Sequence, residues 1–518
     1  MTSVDSTAPA HGLRRLDVLA MLLCAIVGLD TLGSVAANGP EGLTWMAVLG
    51  LLFFVPYGLM IAELGSAFPA EGGPYVWTKL AFGRFAAGIN QVFYWINNPI
   101  WLGGSLCVVA ITTFETFFHP LPGAWKYLAG ALFIGAAGLA VHSSVVIGRW
   151  VPIVGAIARV VLLGFFVVSL VVYALRNGLQ PLSVGDYAPT YLGLVALTPI
   201  IVFNYMGFEI PSTAAGAMAD PRRDVPAALL RGGLGSAVLY GVPILGTLLV
   251  LPRDRLGSLT GFIDACRAVF TVYGGHIAED GTIVLTGAGA LLAKVAAAGL
   301  IIGLLTSGTA WAMGLSRAQA VACADGAGPR WLGVTDARKG TPTRVNLVST
   351  AIALLVMVVA LSLSAGDVQA YFTAGISLAI SATAISYLLT FSSFIALRHK
   401  LPHVERPYRV PLGSFGAWTA TVLTVGTMGF TVLALIWPGL GVGWFGTAGD
   451  PAAYLPAGFE GRRGAYTASQ LVPVALILTL GCVFYAVGTR HRRELPAPSA
   501  ATSAPAHPDR GVTADVPS

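Results

Sequence analysis

Ile26-Val27-Gly28-Leu29-Asp30-Thr31-Leu32-Gly33-Ser34 and Phe203-Asn204-Tyr205-Met206-Gly207-Phe208-Glu209-Ile210-Pro211 are the two stretches that decide how this chain folds. Each lies partway along an apolar run long enough to cross a bilayer, and each sets glycine beside a carboxylic acid. A charge near the bilayer centre costs roughly 2.5–3.5 kcal/mol even on insertion scales, so an acid at that depth needs a partner or a use. A lone glycine in such a helix usually permits close packing. Two breaks of the same composition point instead to helices interrupted at half depth.

Working outward, the chain of 518 residues is 55 % hydrophobic and only 10 % charged. A soluble domain carries about a quarter charged residues, so this surface faces lipid. Runs that satisfy the roughly 20 helical residues needed to span hydrocarbon fall at 17–37, 44–68, 86–118, 128–147, 151–175, 193–217, 232–251, 286–315, 345–364, 368–397, 413–437 and 467–488. Backbone groups in lipid must be bonded internally, which leaves helices or a closed barrel. Barrel strands are about ten residues long and alternate in polarity, and these runs do neither. The expected class is an all-α membrane protein with twelve transmembrane helices.

The net charge of +6 and pI near 9.1 form no basic face, which excludes nucleic acid as a partner and leaves a topological pattern. With an even number of spans, the terminal side carries 21 Lys and Arg and the other side seven, leaving Arg159 and Lys294 inside spans. Positive residues stay cytoplasmic, so both termini are expected there, on the cell inner membrane. Arg14 and Arg15 before an apolar run imitate a secretory signal, but Asp30 interrupts the run and further spans follow, so it reads as an uncleaved first helix. Cys24, Cys107, Cys266, Cys323 and Cys482 have no metal-ligand spacing, and His119, His142 and His276 give no metal pattern. No cofactor or metal is indicated. The segment after Arg493, rich in Pro, Ala, Ser and Thr, reads as a disordered tail.

Pairing spans one to five with six to ten puts the two interrupted segments first in each half. Corresponding broken helices are the sequence pointer to an inverted repeat with a small-molecule site at the midplane. Free N–H groups at such a break attract an anion and free carbonyls a cation, which together suit an amino-acid zwitterion. The organisation is then a cytoplasmic segment 1–16, a first five-helix repeat 17–175, a second 193–397, two further helices in 413–488 and a cytoplasmic tail 489–518.

Ala62-Glu63-Leu64-Gly65-Ser66-Ala67-Phe68-Pro69-Ala70-Glu71-Gly72-Gly73-Pro74-Tyr75-Val76-Trp77, followed by Ala81-Phe82-Gly83, resembles the signature after the second span of the amino acid–polyamine–organocation transporters. Phe203 to Glu209 resembles that family's sixth-span motif. Ser316-Arg317, Ala324-Asp325-Gly326, Pro329-Arg330-Trp331-Leu332-Gly333 and Gly340-Thr341-Pro342 resemble its loop between spans eight and nine. Together these cover residues 15–410 in the family's order. The resemblance implies a leucine-transporter-like five-plus-five inverted repeat with two additional C-terminal helices. It also implies a secondary active transporter, a permease working by alternating access, with an amino acid or related organic amine bound where spans one and six unwind. The implied substrate-binding set is Ile26, Val27, Gly28, Asp30, Thr31, Gly33, Phe203, Asn204, Gly207, Phe208 and Glu209.

One departure matters. Family members commonly carry a Gly-Ser-Gly-type sequence in the first break, whose amides receive a substrate carboxylate, whereas here the stretch is Gly28-Leu29-Asp30-Thr31-Leu32-Gly33. A carboxylate there repels another unless one is protonated or paired. The substrate is then an amine, or Asp30 is a proton carrier or an ion-pair member. Asp30, Arg159, Glu209 and Lys294 are the coupling or ion-pair candidates. Arg159 sits where some sodium-independent relatives place a lysine instead of sodium. Its guanidinium is a fixed counter-charge and not a shuttle, and the competing reading is an ordinary structural ion pair. Lys294 has the alternative of snorkelling outward, and Glu63 of a helix-end contact. Asn97, Asn98, Tyr205 and Trp311 are further candidates to line a pocket or bond between helices.

Exchange or proton symport without sodium is therefore expected, protons being the possible coupled ion. A sensor that binds without transport is the rival reading. A membrane-embedded enzyme is disfavoured, because the chain lacks a Gly-x-Ser-x-Gly elbow, an HExxH motif and a phosphate loop.

Overall fold

Because hydrocarbon offers the backbone no partners, each long apolar run closes its hydrogen bonds within a helix. The computed structural model describes residues 15–143, 150–213, 221–257, 259–363, 368–445, 447, 449–456, 459–489 and 492. The chain runs through α1 (Arg15–Ile26), α2 (Leu32–Ala36), α3 (Glu41–Ala67), α4 (Gly73–Phe82), α5 (Arg84–Phe117), α6 (Ala124–His142) and α7 (Trp150–Asn177). It continues through α8 (Tyr191–Asn204), α9 (Ile210–Thr213), α10 (Pro221–Val250), α11 (Gly261–Phe270), strands β1 (Gly275–Ile277) and β2 (Ile283–Leu285), and α12 (Gly287–Ala324). The last four helices are α13 (Thr343–Leu363), α14 (Val368–Lys400), α15 (Gly413–Ile436) and α16 (Arg463–Val487).

Among the described residues, nine helices have the length and apolarity of a membrane crossing: α3, α5, α6, α7 and α12 to α16. The other three expected stretches are the interrupted pairs α1–α2 and α8–α9, and α10. Residues 1–14, the expected span residues 144–147, 214–217 and 364, the loop arginine Arg149 and the tail with Arg490, Arg493 and Arg510 lie outside the described residues.

One expectation needs correction. The eighth span does not end near 315 but runs as one helix of 38 residues to Ala324, where Gly326 at φ 80° lets the chain turn away. Its last turns bury Ala318, Ala320 and Ala322, so packing prolongs a helix that hydropathy alone ends early. The link before it holds α11 and an antiparallel hairpin pairing Gly275 with Leu285 and Ile277 with Ile283.

The helices meet closely where side chains are small. A Cβ on Gly103 would stand 2.3 Å from the carbonyl oxygen of Ala353, so α5 and α13 touch backbone to backbone there. One end of the bundle is closed by ions. Glu63 accepts from Arg398 Nε at 2.8 Å and from the Val410 amide at 2.7 Å, with Arg406 Nε 3.2 Å away. Asp325 accepts from Tyr75 Oη at 2.6 Å, Lys79 Nζ at 2.7 Å and Arg84 Nε at 3.0 Å. At the opposite end a cleft of about 290 Å³ opens among Ser34, Asn38, Ile200, Phe372, Ile376 and Tyr466.

Candidate functional site

At the first break, α1 stops at Ile26 and α2 begins at Leu32. A helix that stops leaves its last carbonyls without intrahelical donors. Here neighbouring helices supply them: Ser307 Oγ donates to Cys24 O at 3.1 Å, Trp311 Nε1 to Ala25 O at 2.8 Å, Tyr240 Oη to Ile26 O at 2.6 Å and Arg159 Nε to Val27 O at 2.9 Å. The carbonyls expected to be free for a cation are thus held by the protein's own groups. Thr31 Oγ1 bonds Gly28 O at 3.0 Å, and Gly33 lies against Gly261.

Asp30, buried in the break, accepts from Trp101 Nε1 at 2.8 Å and Ser105 Oγ at 2.9 Å, both through Oδ2, while Oδ1 has no partner. Trp101 stands edge to face with Phe203 and Trp311, ring centres 5.5 and 6.0 Å away. An unpaired carboxylate oxygen beside such rings suits a cationic head, which aromatic faces also attract.

At the second break, α8 ends at Asn204 and α9 resumes at Ile210. Gly207 takes φ 118°, and a Cβ on it would meet Trp311 at 3.3 Å, so glycine is required on both counts. Glu209 is fully buried among tyrosines: Tyr94 Oη donates to Oε1 at 2.7 Å and Tyr57 Oη to Oε2, with Tyr387 Oη 3.4 Å from that of Tyr57. Phe208 stacks on Phe54 and Tyr57. Both polar atoms of Asn204 are buried without a hydrogen-bond partner.

Helix α5 joins the two breaks. Tyr94, Asn97, Trp101 and Ser105 recur at spacings of three and four, which puts them on one face. Tyr94 holds Glu209 and Trp101 holds Asp30, seven residues or about 10 Å further along the helix. Asn97, between them, is buried with both amide atoms unpartnered. Asn98 instead bonds Gly308 O at 3.1 Å, and Tyr205 bonds Met46 O at 2.8 Å, both as contacts between helices.

The charged candidates do not gather as pairs. The wholly buried Arg159 donates to Val27 O, Gly155 O at 2.8 Å, Gly303 O at 2.7 Å, Thr306 Oγ1 at 3.2 Å and Ser307 Oγ; among the described residues no carboxylate lies within 4.0 Å of it. Lys294 is exposed on the outer side of α12, with no acid in reach among the described residues, because its stem points away from the bundle. It does not join the other three. Glu63 takes the helix-end role through Arg398 and Arg406.

Tyr57, Tyr94, Trp101, Ser105, Tyr240 and Tyr387 were not among the expected site residues. The spacing of Tyr94, Trp101 and Ser105 carried a signal, and a phenol within hydrocarbon signals by itself that a partner is needed. No group of three potential metal ligands exists among the described residues.

Residues 13–446 match the family model described as amino acid permease. The chain is 27 % identical over 393 residues to a probable agmatine/putrescine antiporter of Lactococcus lactis subsp. lactis, covering 75 % of this chain and 80 % of that one. It is 22 % identical over 383 residues to a glutamate/gamma-aminobutyrate antiporter of the same organism, covering 70 % and 71 %. A crystal structure of the Eremococcus coleocola manganese transporter superposes with a TM-score of 0.58 over 95 % of this chain and 100 % of that one, at 11 % identity, and so shares the fold. The protein is a multi-pass secondary transporter for small molecules and not an enzyme, and the chain belongs to the amino acid permease family.

Proposed function

We propose that this transporter exchanges an amino acid or related organic amine across the cytoplasmic membrane by alternating access, recognising an ammonium group at Asp30. The observation that carries this reading is the free Oδ1 of a buried carboxylate beside Trp101, Phe203 and Trp311. A buried charge without a partner is costly, and an incoming cation relieves it. Asp30 already occupies the place where a substrate carboxylate would approach, which favours an amine without one. Of the relatives named above, one is named a probable agmatine/putrescine antiporter and the other a glutamate/gamma-aminobutyrate antiporter.

The proposed site comprises Ile26, Val27, Gly28, Asp30, Thr31 and Gly33 from the first break and Phe203, Asn204, Gly207, Phe208 and Glu209 from the second. Glu209, ringed by phenols, is the proposed proton carrier. Arg159 fills the carbonyl cluster a sodium ion would need, and the transporter is therefore sodium-independent. We further propose twelve crossings as two inverted five-helix repeats (17–175 and 193–397) plus two helices (413–488), with both termini cytoplasmic, supported by the 21 to seven distribution of Lys and Arg.

Purified protein in liposomes, loaded with unlabelled agmatine and given labelled agmatine, putrescine or arginine outside, tests this. Accumulation by counterflow, equal with sodium or choline as the external cation, is expected. Uptake that strictly requires sodium, or binding of these amines without counterflow, would overturn it, the latter in favour of a sensor.

A further inference from the structure

Each break is tied by one phenol from a helix of the other half. Tyr240, on α10, accepts the Gly28 amide at 2.6 Å and donates to Ile26 O at 2.6 Å, closing the first break across a single oxygen. Tyr57, on α3, accepts the amides of Gly207 at 3.1 Å and Phe208 at 3.0 Å and donates to Glu209. A hydroxyl has one proton to give and two lone pairs; Tyr240 uses its proton and a lone pair, and Tyr57 its two lone pairs, on backbone that has lost its helical partners. The two helices are the second of each half when spans one to five are paired with six to ten.

We infer that Tyr57 and Tyr240 are positioning residues, each holding the unwound backbone of the opposite half in place through its hydroxyl. Packing does not account for them. Tyr57 stacks on Phe53 and Phe208 at 5.3 and 5.5 Å and meets Phe391 edge-on, contacts a phenylalanine would keep, yet its oxygen faces two amides and an acid. The two ties differ in what accepts the phenol's proton. Tyr240 gives it to a carbonyl, which does not titrate. Tyr57 gives it to a carboxylate, so removing that anionic acceptor by substitution loosens the second break alone. Tyr94 and Tyr387 also face Glu209, and among the described residues no cation lies within ion-pair distance of it.

The transport consequence rests on the reading that the two breaks form the site, but the tie itself is measured without substrate. Hydrogen–deuterium exchange on the full-length protein in nanodiscs, with Y57F and Y240F, separates the two. Loss of one hydrogen bond predicts about tenfold faster exchange. Y240F gives this in peptides covering 26–34 and leaves 203–213 unchanged, and Y57F does the reverse. E209Q gives a smaller rise at 203–213 only, because an amide oxygen accepts more weakly than a carboxylate. Should Y57F fail to fold, E209Q makes the same test.

Unchanged exchange at both breaks, or equal loosening everywhere, overturns the inference. With labelled agmatine as probe, the held breaks predict a lower maximal counterflow rate in both variants at little change in half-saturation. Selective loosening with wild-type counterflow would uphold the ties and count instead against the breaks as the transport site.

Discussion

Arg159 is a fully buried cation whose partners among the described residues are carbonyls, hydroxyls and the Cys24 sulfur and not acids. The reason lies in the backbone: α1 stops in mid-membrane, its carbonyls need donors, and a guanidinium offers five. Arg159→Ala leaves Val27 O without its donor in an apolar interior, at about 1–3 kcal/mol, whereas Gly303 O keeps Thr306 Oγ1 at 3.0 Å. A thermal unfolding scan in detergent is expected to fall by several degrees, and Arg159→Lys to recover only part, since one ammonium cannot reproduce the planar fork. This residue marks how far the sequence could be read. Its burial within a span and its charge were legible. Its partners were not, because side-chain patterns register acids but not the carbonyls that a helix break exposes. Lys294 takes the outward-facing alternative, which hydropathy could not choose by itself, because it places a residue in a span without saying whether it faces lipid or bundle.

The breaks themselves were legible, because glycine and an acid stand out in runs of Leu, Val and Ala. What joins them was not. Helix α5 carries Tyr94 to one acid and Trp101 with Ser105 to the other, and only the packed structure reveals that this face meets both breaks. The α11 segment and its hairpin escaped because short elements between spans leave no hydropathic trace. Gly207→Ala puts a Cβ at φ 118° and against Trp311, a strain of order 1–3 kcal/mol. A counterflow rate at least tenfold below wild type is expected, with the protein still monodisperse on gel filtration. Gly103→Val tests the packing of α5 on α13: a side chain cannot enter where a Cβ already meets Ala353 O at 2.3 Å, so α5 and α13 must part and thermal stability must fall.

Across the whole molecule, ion pairs latch one end and a cleft opens at the other. Burial raises the Asp325 carboxyl, but hydrogen bonds from Arg84, Lys79 and Tyr75 outweigh it and hold the group below the ordinary carboxylate range. A carboxylate held low contributes stability that is fully present above its ordinary pKa of about 4 and lost as pH falls through the lowered value. The latch therefore stays ionised between about pH 5 and 8, and any pH dependence of exchange in that window has another origin. Asp325→Asn leaves Lys79 and Arg84 facing a neutral amide, loosens the latch and is expected to raise maleimide labelling of the buried Cys323. The stability difference from wild type stays constant from about pH 5 to 8 and shrinks only below about pH 4. The central claim is that Asp30 receives the ammonium group of the transported amine, and counterflow of labelled agmatine in sodium-free proteoliposomes tests it most directly. The account predicts robust exchange by wild type and a loss of at least a hundredfold in Asp30→Asn, because an amide supplies no negative charge at the same position. Exchange by Asp30→Asn at the wild-type rate would contradict it.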